Sequence, residues 1–482
     1  MNEKTTLAPG LEISRIITGM WQIADMERSG TALNVHEASG SMDEYFKNGF
    51  TSFDMADHYG SSEIIAGEFK NSNALGDQVQ LLTKWVPTPG KITRADVKAA
   101  INLALDRMKQ KSIDLLQFHA WQYANASWLD ALFYLNELKE EGLIKHIGVT
   151  NFDVAHLRTA LSTGIPIVSN QICHSLIDQR ASIKMKALSE AFGFKILAFG
   201  TLAGGFLTDK WLGKSEPSQS DLETWSEMKY KRFIDEAGGW APFQNLLSVA
   251  KKIADKHGVS LANVSSRFVL ENKSVAAIII GARLGKSEHI KENKKLLNFD
   301  FDHHDHLQMQ NAMAELKPIP GNCGDEYRKP PFLTASGDLS HHLEKMPLPF
   351  DAVIINDSKS QIFSGTEWEE YAGYCRAVRQ NKDIYVSGTT ATHGELIIGG
   401  KDPVAQTHFI IDKIEGAIIS LGGTLKDVVR TRIFVHNLED WEPVARAHGE
   451  RFKNINPANT LVQAKLVGEG YLVEIEAVAI VD

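Results

Sequence analysis

The sequence predicts a (β/α)8 barrel over residues 1–316 and a smaller α+β domain over residues 350–482, joined by a linker at 317–349. Three observations lead to this prediction. Short apolar runs alternate with longer amphipathic stretches from about residue 10 to 300. The next segment is rich in Pro and Gly and has no periodicity, and the last part has strand-like runs around one long helical pattern.

Eight apolar runs are predicted to be the strands of the barrel, namely SRIITGMW, TSFDMA, VQLLTKW, IDLLQFHA, IKHIGVTN, IPIVSNQI, KILAFGTL and AAIIIGAR. The stretches between them, such as ADVKAAINLALDRMKQKS, carry apolar residues at helical spacing. Continuous apolar strands that alternate with helices indicate a parallel sheet covered on both faces. The number of units fits a (β/α)8 barrel, and by count alone an open doubly wound sheet is the alternative.

The polar residues at the ends of these runs favour the barrel. They are Asp54, Lys84, His119, Thr150 with Asn151, Asn170 with Gln171, and Arg283. In a barrel the carboxyl ends of all strands meet at one mouth, where the active sites of this fold lie. One such residue alone is usually a helix cap or a turn residue, but a series of them at successive strand ends indicates a functional site.

The composition narrows the class of protein. A net charge of -9 without a basic cluster argues against a nucleic-acid partner. The three cysteines are scattered and the first residues, MNEKTTLAPG, are polar, so we expect a cytoplasmic protein that does not insert into a membrane. The histidines of FDHHDHL and LSHHL lack zinc-type spacing with cysteine or carboxylate partners, so we expect polar segments there and no metal site.

Four residues of the first unit suit the reduction of a carbonyl group by a nicotinamide. That reaction needs a hydride donor and an acid that protonates the developing alkoxide. A tyrosine can be that acid if a nearby cation and its carboxylate partner lower the pKa of its phenol. The sequence offers Asp54 and Tyr59 in FDMADHYG, Lys84 in LLTKW and His119 in LLQFHA. Each alone has an ordinary structural explanation, but the ordered set favours catalysis.

The segments FDMADHYGSSEIIAG, LDRMKQKSIDLLQFHAW and IKHIGVTNF resemble the motifs of the aldo-keto reductases, in order and spacing, and the resemblance covers about residues 10 to 300. It implies an NADPH-dependent oxidoreductase that converts a small aldehyde or ketone into an alcohol. Tyr59 would then be the general acid, and Lys84, paired with Asp54, would bias the phenol towards releasing its proton. His119 would orient the substrate carbonyl by hydrogen bonding.

The same resemblance assigns residues to the nicotinamide. Thr150, Asn151 and Gln171 fall where the family hydrogen-bonds the nicotinamide carboxamide, and Thr150 keeps the hydroxyl of the more usual serine. Phe199 falls where an aromatic ring, often tyrosine, stacks on the nicotinamide, and stacking survives that change.

For the adenosine 2′-phosphate of NADPH the resemblance points to Gly281, Arg283 and Asn293 in GARLGKSEHIKEN. A guanidinium suits that dianion. The stretch from Leu207 to Trp240 is long, polar and rich in tryptophan. It either covers the barrel mouth and contacts cofactor or substrate, or forms a surface insertion held by its own tryptophans.

The C-terminal unit resembles the Rid/YjgF type, a chorismate-mutase-like α+β fold. The resemblance is carried by AGYCRAVRQNKDIYVSGTTA, DVVRTRIFVHNLEDW and NPANTLVQAKLVGEGYLVEIEAVAI, and the predicted helix HFIIDKIEGAIISLGG ends at Gly422 and Gly423. It implies a homo-oligomer, a trimer with clefts between subunits. Some members of that family hydrolyse reactive enamines and imines.

One residue departs from the deaminases of that family. Asn459 stands where they carry an arginine, so the carboxylate of an amino-acid-derived imine loses its partner. Glu474 and Tyr374 match the acidic residue and the tyrosine of the cleft. Arg430 and Arg432 lie on one strand face, either as a displaced cation or simply facing solvent or a neighbouring subunit.

Three hypotheses for function follow from the sequence. The leading one is NADPH-linked carbonyl reduction with the C-terminal domain as an accessory or oligomerisation module. The second couples the two halves, so that imine hydrolysis releases a carbonyl that the barrel reduces. The third is a nicotinamide-sensing regulatory protein with little turnover.

Overall fold

The computed structural model describes residues 1–27, 30, 32–286, 289–330, 332–334, 339–341 and 343–482. His342 of the LSHHL segment, and Ser287 and Glu288 of the predicted phosphate loop, lie outside the described residues. Within the described part of the chain, no helix has both the length and the apolar character needed to cross a bilayer.

An N-terminal hairpin, to which the sequence analysis assigned no strands, covers one end of the first unit. Strand β1 (Lys4–Ala8) pairs antiparallel with β2 (Leu11–Ser14). Leu7 and Ile13 of this hairpin form one buried cluster with Leu115, at the start of a barrel strand. The hairpin therefore buries apolar surface at the end where the barrel strands begin.

Eight parallel strands close into a barrel, which confirms the predicted fold and excludes the doubly wound sheet. Their bounds are β3 (Ile16–Gly19), β4 (Ser52–Asp54), β5 (Gln80–Trp85), β6 (Leu115–His119), β7 (Ile147–Thr150), β8 (Ile167–Cys173), β9 (Lys195–Phe199) and β10 (Val275–Gly281). Each strand pairs with the next, and β10 returns to β3. The strand residues are nearly all buried, as expected where helices cover a parallel sheet.

Twelve α-helices accompany the barrel among the described residues. They are α1 (Trp21–Met26), α2 (Val35–Lys47), α3 (Ser62–Ser72), α4 (Arg94–Met108), α5 (Ser127–Glu140), α6 (Val154–Leu161), α7 (Lys186–Phe192), α8 (Trp225–Glu236), α9 (Trp240–His257), α10 (Leu261–Leu270), α11 (Ile290–Lys295) and α12 (His303–Ala314). The predicted helix α4 begins at a capping box between Thr93 and Asp96. It buries Val97, Ile101 and Met108 at the spacing that its sequence predicts.

Part of the segment predicted as a linker packs on the barrel mouth. A short helix, α13 (Asp325–Arg328), lies there, and Cys323 and Glu326 are buried. The Pro- and Gly-rich composition indicates a chain without regular periodicity, but it does not reveal that this chain is held against the strand ends by side chains.

The C-terminal unit is an α+β domain, as predicted. Its strands are β11 (Ala352–Asn356), β12 (Lys359–Ile362), β13 (Ala377–Gln380), β14 (Asp383–Thr389), β15 (Thr392–His393), β16 (Leu396–Ile397), β17 (Val428–Val435), β18 (Ala458–Gln463) and β19 (Val473–Ile480). Its helices are α14 (Glu367–Ala372), α15 (Pro403–Ser420) and α16 (Trp441–Phe452). The main sheet has the strand order β11-β12-β13-β14-β19-β17-β18. The four predicted strands correspond to β14, β17, β18 and β19, and the predicted helix is α15; β11, β12 and β13 were not predicted.

Helix α15 joins the two units by packing against α6 of the barrel. The buried His156 lies between two carboxylates, with Nδ1 2.7 Å from Asp153 and Nε2 3.1 Å from Asp412 of α15. Arg158 donates to Asp402 at 2.6 Å beside them. His156 and its two carboxylates are buried, Arg158 is partly exposed, and together these contacts hold the C-terminal domain against the barrel side.

Candidate active site

A buried ion pair lies at the mouth of the barrel, where β4 and β5 end. The Nζ of Lys84 donates to Oδ2 of Asp54 at 2.6 Å and to the backbone oxygen of Met55 at 2.7 Å. The other carboxylate oxygen of Asp54 accepts from Gln117 at 3.1 Å and from Gln171 at 2.7 Å. Burial lowers the pKa of Lys84, and the charge of Asp54 opposes that effect. The pair is therefore held in one geometry by four polar contacts.

Tyr59 lies above this pair, in the turn between β4 and α3. The Nζ of Lys84 is 4.7 Å from the centre of the Tyr59 ring, and Trp21 packs edge-on against that ring at 5.0 Å. Burial raises the pKa of the Tyr59 phenol well above its ordinary value, and the charge of Asp54 adds to the effect. The expected lowering of this pKa is wrong for the structure described, because burial, the largest effect, and the Asp54 charge both raise it. The phenol keeps its proton at neutral pH.

His119 is the last residue of β6 and is buried at the same mouth. Its Nδ1 lies 3.4 Å from the backbone oxygen of Thr150, and its ring packs edge-on against Trp121 at 4.5 Å. The β5–β6 register sets Gln117, two residues before His119, opposite Lys84. Alternate residues of a strand point to the same face of the sheet, so His119 shares a face with Gln117, which bonds to Asp54. His119 therefore lies at the same mouth as the three other predicted catalytic residues.

Of the three residues predicted to bind a carboxamide, Asn151 has the most suitable geometry. Its Oδ1 is buried and has no hydrogen-bond partner among the described residues. By contrast, the hydroxyl of Thr150 donates to the Gln171 backbone oxygen at 3.1 Å, and the side-chain amide of Gln171 donates to Asp54 and Gln117. A buried acceptor without a donor is costly unless a ligand satisfies it. Asn151 therefore fits the amide N–H of a nicotinamide.

The residues predicted for ring stacking and phosphate binding lie on different sides of β10. Phe199 ends β9 and is half-buried at the mouth. Gly281, Arg283 and Asn293 line a cavity of about 190 Å³. The other described residues of this cavity, which the sequence analysis did not single out, are Ile16, Ile17, Thr18, Gln22, Tyr45, Phe50, Ile280 and His289.

Gly281 lies directly against the side chain of Gln22 in this cavity. A Cβ there would collide with the side-chain amide of Gln22. The buried Oε1 of Gln22 and Oγ1 of Thr18 have no partners among the described residues, so the cavity offers polar atoms to a ligand. Its position beside the mouth fits the distal end of an extended dinucleotide, and Arg283, which lines it, carries a charge that suits a phosphate.

Helix α13 brings two further residues to the mouth that sequence reasoning missed. Arg328 donates through Nε to the Ala120 backbone oxygen at 2.9 Å and through Nη2 to the Asn151 backbone oxygen. Gly324 allows this approach, because a Cβ there would collide with the Asn151 carbonyl. The ring of Tyr327 is 6.0 Å from that of His119. Their position within a Pro- and Gly-rich segment gave no signal of a functional role.

In the C-terminal domain, Tyr374 and Glu474 both lie within electrostatic range of a buried arginine, Arg376. The Glu474 carboxylate lies over Gly388, where a Cβ would collide with it. Arg376 donates to the Gly388 backbone oxygen at 2.7 Å, and its Nε has no partner among the described residues. Sequence reasoning did not identify this cation, although it lies in the quoted GYCRAV motif.

The other predicted cleft residues lie apart from this arginine on the sheet. Asn459 donates to the Thr431 hydroxyl at 2.9 Å. Arg430 and Arg432 are both exposed on β17, and Arg432 pairs with Glu476. This arrangement agrees with the alternative in which the two arginines face solvent or a neighbouring subunit.

Two family models match separate parts of the chain. Residues 15–314 match the model of the family described as "Aldo/keto reductase family". Residues 365–481 match the model described as "Endoribonuclease L-PSP".

Individual relatives each match part of the chain. Flagellar radial spoke protein 5 of Chlamydomonas reinhardtii is 31% identical over 177 residues, which cover 33% of this chain and only 33% of that protein. The chloroplastic pyridoxal reductase of Arabidopsis thaliana is 27% identical over 287 residues, 56% of this chain and 74% of that protein. A solved structure of the YjgF/YER057c/UK114 family from Mycobacterium tuberculosis is 41% identical, covers 26% of this chain and all of that one, and has a TM-score of 0.24.

Proposed function

This chain belongs to the aldo/keto reductase family, and on that premise we propose that its barrel reduces an aldehyde or ketone to an alcohol with NADPH as the hydride donor. The observation that carries the proposal is the position of the protonated Tyr59 phenol above the buried Lys84–Asp54 pair. An acid that holds its proton at neutral pH, next to a fixed cation, is suited to protonate an alkoxide as it forms.

The residues of the mouth act on the substrate oxygen. When bound, NADPH would supply the hydride for the carbonyl carbon. His119 orients the carbonyl by a hydrogen bond, and Tyr59 gives its phenolic proton to the carbonyl oxygen as negative charge develops there. The Lys84 ammonium, 4.7 Å from the Tyr59 ring, stabilises the phenolate that remains until solvent returns a proton. The transferred hydride and proton together account for the alcohol product.

Three residues hold the cofactor in this proposal. The unpartnered Oδ1 of Asn151 accepts the carboxamide N–H of the nicotinamide, which fixes the ring face that is offered. Phe199 stacks on that ring. Arg283, in the cavity beside β10, binds the 2′-phosphate that distinguishes NADPH from NADH.

For the C-terminal domain we propose assembly of a homotrimer and little imine hydrolysis. Apolar side chains are exposed along its sheet, including Tyr385, Val462 and Ile480, which are 48%, 44% and 47% exposed. Such apolar surface supports burial against other copies of the chain. Asn459 bonds to Thr431 and offers no charge to a substrate carboxylate, which supports weak activity on amino-acid-derived imines.

Purified protein, NADPH and a reactive benzaldehyde test the reductase proposal directly. We expect steady loss of NADPH absorbance with formation of one alcohol for each NADPH consumed. Tight NADPH binding without turnover on a broad panel of carbonyl compounds would instead favour the nicotinamide-sensing hypothesis.

A further inference from the structure

The ammonium of Lys229 lies among aromatic rings at the barrel mouth. Helix α8, within the tryptophan-rich excursion, carries it there. Its Nζ is 5.3 Å from the ring centres of Phe199 and Tyr230, 5.8 Å from Phe233 and 4.5 Å from Tyr327. Among the described residues it donates one hydrogen bond, to the Tyr327 hydroxyl at 2.7 Å. Aromatic faces favour a cation at these distances.

No carboxylate of the described residues lies within ion-pairing distance of this ammonium. Glu326 of α13 and Asp178 of the loop after β8 both pair with Arg180, at 2.9 and 2.8 Å. Burial alone lowers the pKa of Lys229, but the net shift is upward, because Tyr327 and Glu326 favour the charged form. The mouth therefore contains a cation that keeps its charge and whose direct partner is a neutral hydroxyl.

This cation lies close to the reacting groups of the proposed reductase. The hydroxyl of Tyr327 accepts the hydrogen bond of Lys229, and the ring of Tyr327 is 6.0 Å from the ring of His119. Tyr327 also contributes to the raised pKa of Tyr59, which places the two phenols within electrostatic range. Phe199, Lys229 and Tyr327 are half-buried, so each of these residues retains some exposed surface at the mouth.

We propose that Lys229 and the Tyr327 hydroxyl bind a negatively charged oxygen group of the carbonyl substrate. An ammonium has three N–H donors, and a carboxylate or phosphate accepts several hydrogen bonds at once. The preferred substrates are thus aldehydes or ketones that carry such a group about one aromatic ring away from the carbonyl. This inference rests on the proposed reductase function and names the substrate class of the same site.

A matched pair of aldehydes isolates the charge. 4-Carboxybenzaldehyde and its methyl ester present the same reacting group, and only the first carries an anion. We expect wild type to show the higher kcat/KM with the acid. In Lys229→Met that value falls about 10- to 100-fold, as for loss of a charge-assisted hydrogen bond, while the value for the ester changes little. Tyr327→Phe shifts the same ratio in the same direction by less.

Lys231→Met is the matched control. Lys231 lies two residues away on the same helix, and its ammonium bonds Glu216 and Asp235 instead of the aromatic residues of the mouth. This variant makes the same Lys-to-Met change and removes the same charge. We therefore expect the ratio of kcat/KM for the acid to kcat/KM for the ester to stay at the wild-type value. 4-Formylphenyl phosphate, assayed beside the carboxylate, decides which anion the site prefers.

Two results would overturn the proposal. Equal losses for acid and ester in Lys229→Met would mean that the lysine supports folding or catalysis in general. A weakened NADPH dissociation constant in that variant, with no change in the aldehyde ratio, would assign the ammonium to the cofactor phosphates.

A binding measurement keeps this test separate from the test of turnover. Calorimetry with 4-methylbenzoate, in the presence of NADP+, reports on the anion site even if wild type reduces neither aldehyde. We expect at least about tenfold weaker binding to Lys229→Met than to wild type. Equal binding of 4-methylbenzoate to both proteins would overturn the anion site. If the variant binds 4-methylbenzoate more weakly but wild type reduces no aldehyde, only the reductase function is overturned.

Discussion

The guanidinium of Arg328 donates a hydrogen bond to the backbone oxygen of Asn151, which connects the predicted linker to the proposed nicotinamide site. Asn151 has a φ of +60°, a conformation that few residues other than glycine adopt without support. The same guanidinium bonds to Ala120, next to His119, and to the hydroxyl of Tyr123. One residue of α13 thus fixes the backbone beside two proposed site residues.

Removal of that contact should weaken cofactor binding. In Arg328→Met the Asn151 backbone loses its charged partner, and we expect the NADPH dissociation constant to rise about tenfold or more, measured by quenching of tryptophan fluorescence. Lys329→Met is the control, because Lys329 is exposed and bonds only Asp325 among the described residues. A wild-type dissociation constant in Arg328→Met would contradict the positioning role.

Tyr59→Phe should abolish most turnover and leave NADPH binding nearly unchanged. The ring still fills its space beside Trp21, and only the proton donor is lost. General acid catalysis contributes about 10²- to 10⁴-fold, so kcat should fall by at least that factor. Tyr134→Phe on α5 removes a phenol elsewhere and should retain wild-type kcat. A Tyr59→Phe enzyme with much of its kcat would mean that another group protonates the alkoxide.

The cofactor cavity predicts a preference for NADPH over NADH. Arg283→Gln should weaken NADPH binding and leave NADH binding almost unchanged, because only NADPH carries the 2′-phosphate that the guanidinium would bind. Both dissociation constants are measured by calorimetry on wild type and variant. Equal affinity of wild type for the two nucleotides would contradict this assignment.

The interface between the units should make stability depend on pH through His156. Burial opposes its protonation, but Asp153 and Asp412 outweigh burial and raise its pKa above the ordinary 6.5. Protonated His156 therefore stabilises the fold fully below pH 6.5, and this contribution is lost as the pH rises through the raised pKa.

We expect the difference in free energy of unfolding between wild type and His156→Gln to be greatest at about pH 6 and to shrink towards pH 9. At about pH 6 the free energy of unfolding of His156→Gln should be lower than that of wild type by about 3 kcal/mol or more, because two buried carboxylates lose a partner. Urea unfolding at several pH values measures it, with His304→Gln, an exposed histidine of α12, as control. A difference that stays constant with pH would show that His156 contributes packing alone.

The C-terminal domain should associate as a trimer and hydrolyse amino-acid-derived imines poorly. Light scattering on the full chain should give three times the 53.4 kDa of one subunit. Asn459→Arg should increase hydrolysis of imines generated by an amino-acid oxidase, since the carboxylate regains a partner worth about 1.5 to 3 kcal/mol. A monomer would refute the assembly role. Brisk hydrolysis by wild type would refute the activity claim and direct attention to Arg376.

The sequence by itself determined the barrel and the positions of its polar strand ends. Apolar runs and helical spacing are local patterns that can be recognised in the sequence. Closure of a parallel barrel then brings Asp54, Lys84 and His119 to one mouth, independently of the conformation of the loops. The same local patterns predicted β14, β17, β18, β19 and α15 of the second unit. They did not predict the N-terminal hairpin or β11, β12 and β13, whose short runs gain their stability from partner strands.

Only the tertiary structure decided what surrounds those strand ends. Lys229, Tyr327 and Arg328 come from an excursion and from a Pro- and Gly-rich segment, and their contacts depend on packing between residues that are distant in sequence. The pKa of Tyr59 also depended on the fold, because burial and the Asp54 charge outweigh the neighbouring cation. A residue type at a strand end specifies which chemistry is available, but desolvation and distance, which the whole chain sets, determine its protonation and its partners.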